Sequence, residues 1–177
     1  MNFKRLVIAV GLASGALAAL PATAADVPAE KLGEFKAWTA YSSGAGDSKV
    51  CYALSKPRMS EPTKVKRDAI YFLINDWPGR KAKSEPEIVP GYEYKDKSTV
   101  MAEVGSTKFE FFTKNEGTAG GAWLEQQPDE DRLVEAMRKS AELFVIGTSK
   151  KGTQTRDTYS LAGLSDALDK VHAACGL

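Results

Sequence analysis

Apolar and polar residues alternate along most of this chain in short runs separated by turn-forming residues, the period-two signature of half-buried strands. In "KVCYALS", Val50, Tyr52 and Leu54 fall on one face, and Cys51 and Ala53 on the other. "GEFKAWTAYS", Gly33 to Ser42, alternates through Phe35, Ala37 and Thr39. "DAIYFLIND", Asp68 to Asp76, is apolar on both faces, which predicts a central strand covered on each side. "STVMAEVG" and "GSTKFEFFTKN" meet at a short Gly-Ser turn and read as a hairpin. "GGAWLE", "AELFVIGTS" and "TQTRDTYSL" are further strands, the last two joined at "KKG". "DWPGRKAKSEPEIVP", with three prolines and a glycine, reads mostly as loop.

Two segments carry the helical period. One spans 129–139, after Pro128 and with acidic residues in its first turn, where they complement the positive end of the helix dipole; its apolar face is Leu133, Ala136 and Met137. The other spans 164–175, with Leu164, Leu168, Val171 and Cys175 at i, i+4, i+7 and i+11. Many short strands with frequent turns predict an antiparallel β-sandwich or barrel with these helices peripheral. No repeat, low-complexity tract or linker interrupts residues 26–177, which read as a single domain.

The N-terminus follows different rules. Lys4 and Arg5 precede an apolar run from Leu6 to Leu20, Pro21 breaks it, and "ATA" supplies the small-x-small pattern of a cleavage site. The run is shorter than the roughly 20 apolar residues a spanning helix needs. Residues 1–25 therefore read as a cleaved signal peptide, and the mature chain has no transmembrane segment and is destined for the periplasm, the cell surface or secretion. Removal of Lys4 and Arg5 turns the formal charge of +1 into about −1. That balance excludes nucleic acid as a main partner, since phosphate binding needs a clear basic excess.

Export changes the meaning of the two cysteines. An oxidising compartment and an even count predict a Cys51–Cys175 disulfide. The helical stripe points Cys175 inward with its apolar neighbours. Closing a loop of about 125 residues is worth at most about 4.9 kcal/mol in the chain-entropy picture.

The segments "FKAWTAYSSGAGDSKVCYALSKP", "IVPGYEYKDKSTVMAEVGSTKFEFF", "GGAWLE…RLVEAMRKS" and "TSKKGTQTRDTYSLAGLSDALDKVHAAC" resemble the invasion-associated locus B family of bacterial exported proteins. The specific pieces are "CY" followed by "P", "GY", "AW", and the C-terminal "GTQTRDTYSLAG" followed by a helix ending in Cys. The resemblance implies an immunoglobulin-like β-sandwich at the periplasm or cell surface, with a role linked to host-cell invasion. It brings no catalytic residues across. The function it implies is non-enzymatic: binding or accessory work on an envelope or host-cell component.

The inventory of reactive groups agrees with that expectation. His172 is the one histidine, about 70° from the centre of the C-terminal stripe, and reads as a half-exposed flank residue and not as a catalytic base. The His and Cys supply does not make a zinc site, "PDEDR" lacks calcium-loop spacing, and "GTAGGA" is not followed by Lys-Ser/Thr. No cofactor or metal is expected. The rival expectation is a periplasmic hydrolase using a carboxylate pair drawn from Glu85, Glu87, Glu93, Glu103 and Glu110. Three basic clusters stand out: Lys64, Lys66 and Arg67; Arg80, Lys81 and Lys83; Lys150 and Lys151. Two of them brought to one end would make a patch for anionic glycan or lipid headgroups. Trp38 and Trp123 read as core. Trp77 sits at a turn, so Trp77, Arg80, Lys81 and Lys83 form a candidate surface contact.

Overall fold

Eleven strands and two helices form from these patterns in a computed structural model that describes residues 28–177. The signal segment expected at 1–25 lies outside the described residues. The strands are β1 Glu30–Phe35, β2 Trp38–Ser43, β3 Val50–Ser55, β4 Met59–Glu61, β5 Tyr71–Trp77, β6 Ala82–Val89, β7 Thr99–Val104, β8 Thr107–Glu116, β9 Ala119–Trp123, β10 Glu142–Thr148 and β11 Gln154–Ser160; the helices are α1 Gln127–Arg138 and α2 Leu164–Cys175.

All neighbours pair antiparallel, in the order β1-β2-β3-β5-β6-β9-β8-β7-β10-β11-β4. The sheet is continuous but narrow at one seam, where β6 meets β9 through only two residue pairs, Glu87 opposite Trp123 and Ile88 opposite Ala122. The two wings fold toward each other about that seam. Trp38 Nε1 of β2 donates to the Ser160 carbonyl at the end of β11 (3.0 Å), and the rings of Phe72 and Tyr159 meet edge-on at 5.8 Å. The result is the expected mainly-β, open sandwich with two helices.

Parity decides what is buried. Cys51, Ala53 and Ser55 of β3, Phe72, Ile74 and Asp76 of β5, and Val100, Ala102 and Val104 of β7 all face one core. Leu164, Ala167, Leu168 and Val171 of α2 and Leu133, Val134 and Met137 of α1 close the same core. Fully burying a side chain such as Leu168 or Val171 stabilises the fold by about 1.5–3 kcal/mol. The stripe predicted for 164–175 is thus the buried face of α2, and Cys175 forms a disulfide with Cys51 across a Cα–Cα distance of 5.9 Å. Gly163 precedes this helix at φ 88°, and a Cβ there would stand 2.0 Å from the Phe35 carbonyl oxygen, so only glycine fits.

Three local expectations are corrected. Gly33 to Ser42 is not one strand: Lys36 adopts φ 55° and turns the chain so that Phe35 lies opposite Trp38. The proline-rich stretch after Trp77 is not mostly loop, because Ala82–Val89 pairs with β5 along its length. Pro86 is tolerated there because β9, the second neighbour, bonds only at Glu87 and Ile88. Trp123 is not core: it lies half-buried on the outer face, its ring 6.0 Å from that of Phe112.

Candidate functional site

The segment between β4 and β5 crosses one end of the sandwich, and a single arginine fastens it there. Both Arg67 terminal nitrogens donate to the two Asp157 carboxylate oxygens at 2.7 Å, and its Nε and Nη2 also donate to the Pro90 carbonyl at 2.8 and 2.6 Å. The pair is buried, with 5% and 3% of the side chains exposed. Burial of two charges is tolerated when the geometry is bidentate and the remaining donors are used, as here. The guanidinium also stacks on Tyr92, 4.9 Å from the ring centre, and the Tyr92 hydroxyl is 2.6 Å from Thr155 Oγ1. Burial pushes the Tyr92 hydroxyl up from its ordinary value, while Thr155 and Arg67 pull it partly back. The hydroxyls of Tyr94 and Tyr159, buried nearby without partners among the described residues, are pushed up well above the usual tyrosine range by burial.

This fastening shapes a groove of about 290 Å³ bounded by Val65–Asp68, Gly91–Glu93 and the β10–β11 turn. Gly91 permits the close approach: at φ 73°, its Cβ would lie 2.5 Å from the Asp68 carbonyl oxygen. Lys150 Nζ donates to Glu93 at 2.8 Å, and that hydrogen bond and the glutamate's charge hold the lysine above its ordinary pKa. Lys66 and Lys151 line the rim without an ion pair among the described residues. A second cavity of about 180 Å³, lined by Ala69, Tyr71, Val89 and Ala119, shares Asp68, Gly91, Tyr92 and Thr118 with the first. The two cavities are therefore adjacent, one with a cationic rim and the other mostly apolar, with Tyr92 in the wall they share. Two of the three basic clusters do converge, Lys66–Arg67 with Lys150–Lys151.

The third cluster stands elsewhere. Trp77 and Arg80 stack at 4.6 Å, Arg80 also donates to Glu85 at 3.3 Å, and Lys81 and Lys83 are exposed beside them. Trp77 itself is half-buried with its indole nitrogen covered, so it presents part of one face and not the whole ring. Of the candidate carboxylates, Glu87 accepts from Asn75 Nδ2 at 3.0 Å, and burial raises it above the usual range. Glu93 pairs with Lys150, Glu103 pairs with Lys108, and Glu110 is exposed.

Glu85 instead finds Glu130, one of the first-turn acids expected only to complement the helix dipole. Both line a cavity of about 370 Å³ with Arg80, Phe112, Lys114, Glu116, Trp123 and Leu124. Glu130 is 7% exposed, and burial, then Glu85 and Asp131, push its carboxyl up to about 7. The signal was available: Glu130, Leu133 and Met137 share one helical stripe at i, i+3 and i+7.

His172 is also better held than its flank position suggested. Its Nδ1 lies 2.7 Å from Asp76 Oδ2, with 15% and 0% of the side chains exposed, and Ser84 N–H donates to the other Asp76 oxygen at 2.8 Å. This pair braces α2 against β5 beside the disulfide. Parity with Phe72 and Ile74 marks Asp76 as inward-facing; its partner, 96 residues away, carries no local signal.

A sequence model described as Invasion associated locus B (IalB) protein matches residues 38–172. Among solved structures, the crystal structure of invasion associated protein b from Bartonella henselae superposes with a TM-score of 0.53 at 16% identity, covering 85% of this chain and 99% of that one. At that identity the likeness is one of fold. Among curated proteins, no relative matches the sequence.

Proposed function

Because the chain belongs to the invasion-associated locus B family, we propose that it is an exported, non-enzymatic binding factor of the periplasm or cell surface. It engages an anionic amphiphile of the envelope or of a host cell through the groove around Tyr92. The observation that carries this reading is the adjacency of the two cavities across Tyr92. Lys66 and Lys151 supply positive charge, unpaired among the described residues, in one, and Tyr71, Val89 and Ala119 supply apolar wall in the other. A phosphate- or carboxylate-bearing headgroup pairs with the first and its aliphatic stem fits the second. The buried Arg67–Asp157 pair supports the same reading, because it fixes the groove wall before any ligand arrives.

The test is binding of the purified protein to vesicles with and without anionic lipid. The expected result is retention on anionic vesicles alone, loss of most of it in Lys66→Glu/Lys151→Glu, and weakening as salt rises. Equal retention by the variant, or by neutral vesicles, would sink the proposal. A second reading, a carboxylate-pair hydrolase, has one specific observation in its favour: Glu85 and Glu130 share a cavity while Glu130 is held near neutrality. Turnover of a chromogenic glycoside that disappears in both Glu85→Gln and Glu130→Gln would favour it.

A further inference from the structure

The cavity beneath the first turn of α1 contains an imbalance that its own residues do not resolve. Five of its lining residues are charged. Arg80 is committed to Glu85 and Lys114 to Glu116 at 2.8 Å. Glu130 remains, more than nine-tenths buried, its carboxyl with no hydrogen bond or ion pair among the described residues. A carboxyl this deeply buried costs free energy unless it is paired or protonated. Its charged surroundings are Arg80 and Glu85 from the turn before β6 and from β6, Lys114 and Glu116 from β8, and Asp131 on its own helix. Three of those five are acids, so the local field favours a positive guest.

The remaining walls suit the same guest. Phe112 is 39% exposed, an uncommon degree for a large aromatic residue on a sheet, and its ring lies beside that of Trp123. Trp123 in turn lies across Gly121, where a Cβ would come within 2.1 Å of the ring, so the indole is held flat over the strand. Two aromatic rings beside one unpaired carboxyl are the elements that recognise organic cations. The carboxylates of the described residues are not grouped so as to hold a metal ion.

We propose that this cavity binds an organic ammonium ion, with the Glu130 carboxylate as counter-charge and the rings of Trp123 and Phe112 as its π-lined wall. The site is separate from the Tyr92 groove and does not depend on it. Binding draws Glu130 into its ionised form and so releases a proton at neutral pH. Only the ionised carboxyl serves, so affinity rises with pH and levels off once Glu130 is ionised without help.

Calorimetric titration of the purified protein with choline and with 1,5-diaminopentane, between about pH 5 and about pH 8, tests this. The choline arm reports a quaternary headgroup and the diamine arm a primary amine such as a lysine side chain or polyamine. The expected result is saturable binding by at least one arm, about 100-fold tighter at about pH 8 than at about pH 5. Glu130→Gln abolishes it at every pH, and Phe112→Ala weakens it several-fold while keeping the pH profile. Lys66→Glu/Lys151→Glu leaves it unchanged, which separates failure here from failure at the groove. Should Glu130→Gln not fold, the pH series on the unaltered protein decides alone. Absence of binding at about pH 8, binding without pH dependence, or binding of an uncharged methyl glycoside that tightens as pH falls would each overturn the proposal.

Discussion

Glu130 shows how a single side chain ties stability to pH. Its folded-state pKa is raised from 4.5 to about 7, so the folded protein holds that proton more tightly than the unfolded chain does. The stabilisation from this proton is fully present below about pH 4.5 and is lost as pH rises toward about 7. Glu130→Gln removes the dependence. The variant is expected to be more stable than the parent by about 1–3 kcal/mol at about pH 8, and close to it at about pH 4, in thermal unfolding. Arg67 tests the opposite case. Arg67→Met leaves Asp157, 3% exposed, charged and unpaired, and is expected to cost about 3–5 kcal/mol by denaturant titration. A loss under about 1 kcal/mol would mean that water reaches Asp157. At this scale the sequence was legible where helical period speaks, as for Cys175, and would have been for Asp76 and Glu130 had strand parity and the α1 stripe been followed. Partners such as Arg67 and Asp157, 90 residues apart, were not, because nothing local encodes which buried charge meets which.

Among the elements, α2 was the most legible, since a narrow apolar stripe and an inward cysteine leave one face to bury. Replacing Cys51 and Cys175 together by alanine is expected to lower stability by about 2–5 kcal/mol without changing the strand pairing. Unchanged unfolding midpoints with and without reductant would show that the His172–Asp76 pair and the apolar stripe already hold the helix. β6 was the least legible. Proline and glycine density marks loops in most chains, and only knowledge of the neighbouring strand reveals that Pro86 faces a stretch where β9 makes no bond. The Gly33 to Ser42 run failed for a similar reason: its alternation continues through a turn that depends on the left-handed backbone of Lys36.

For the whole molecule, alternation and turns were enough to predict an antiparallel sandwich or barrel with two peripheral helices, and the family resemblance chose the sandwich. They were silent on which loops meet at each end. The convergence of Lys66 with Lys151 follows from β10 and β11 lying between β7 and β4, an order set by pairing across the complete chain. The two outer strands bear on assembly. β4 has only three residues, and β1 carries Glu30, Lys31 and Glu34, devices that discourage strand addition. The protein is therefore expected to run as a monomer on sizing coupled to light scattering; a stable dimer would point to assembly through a surface other than these edges. The placement of α2 also sets a timetable. The helix that roofs β1, β2 and β3 carries a cysteine 124 positions beyond the one it joins, so those strands wait, greasy side bare, until that distant segment arrives. A premature stop anywhere ahead of Leu164 should accordingly yield not a shortened scaffold but a sticky fragment for proteases to clear.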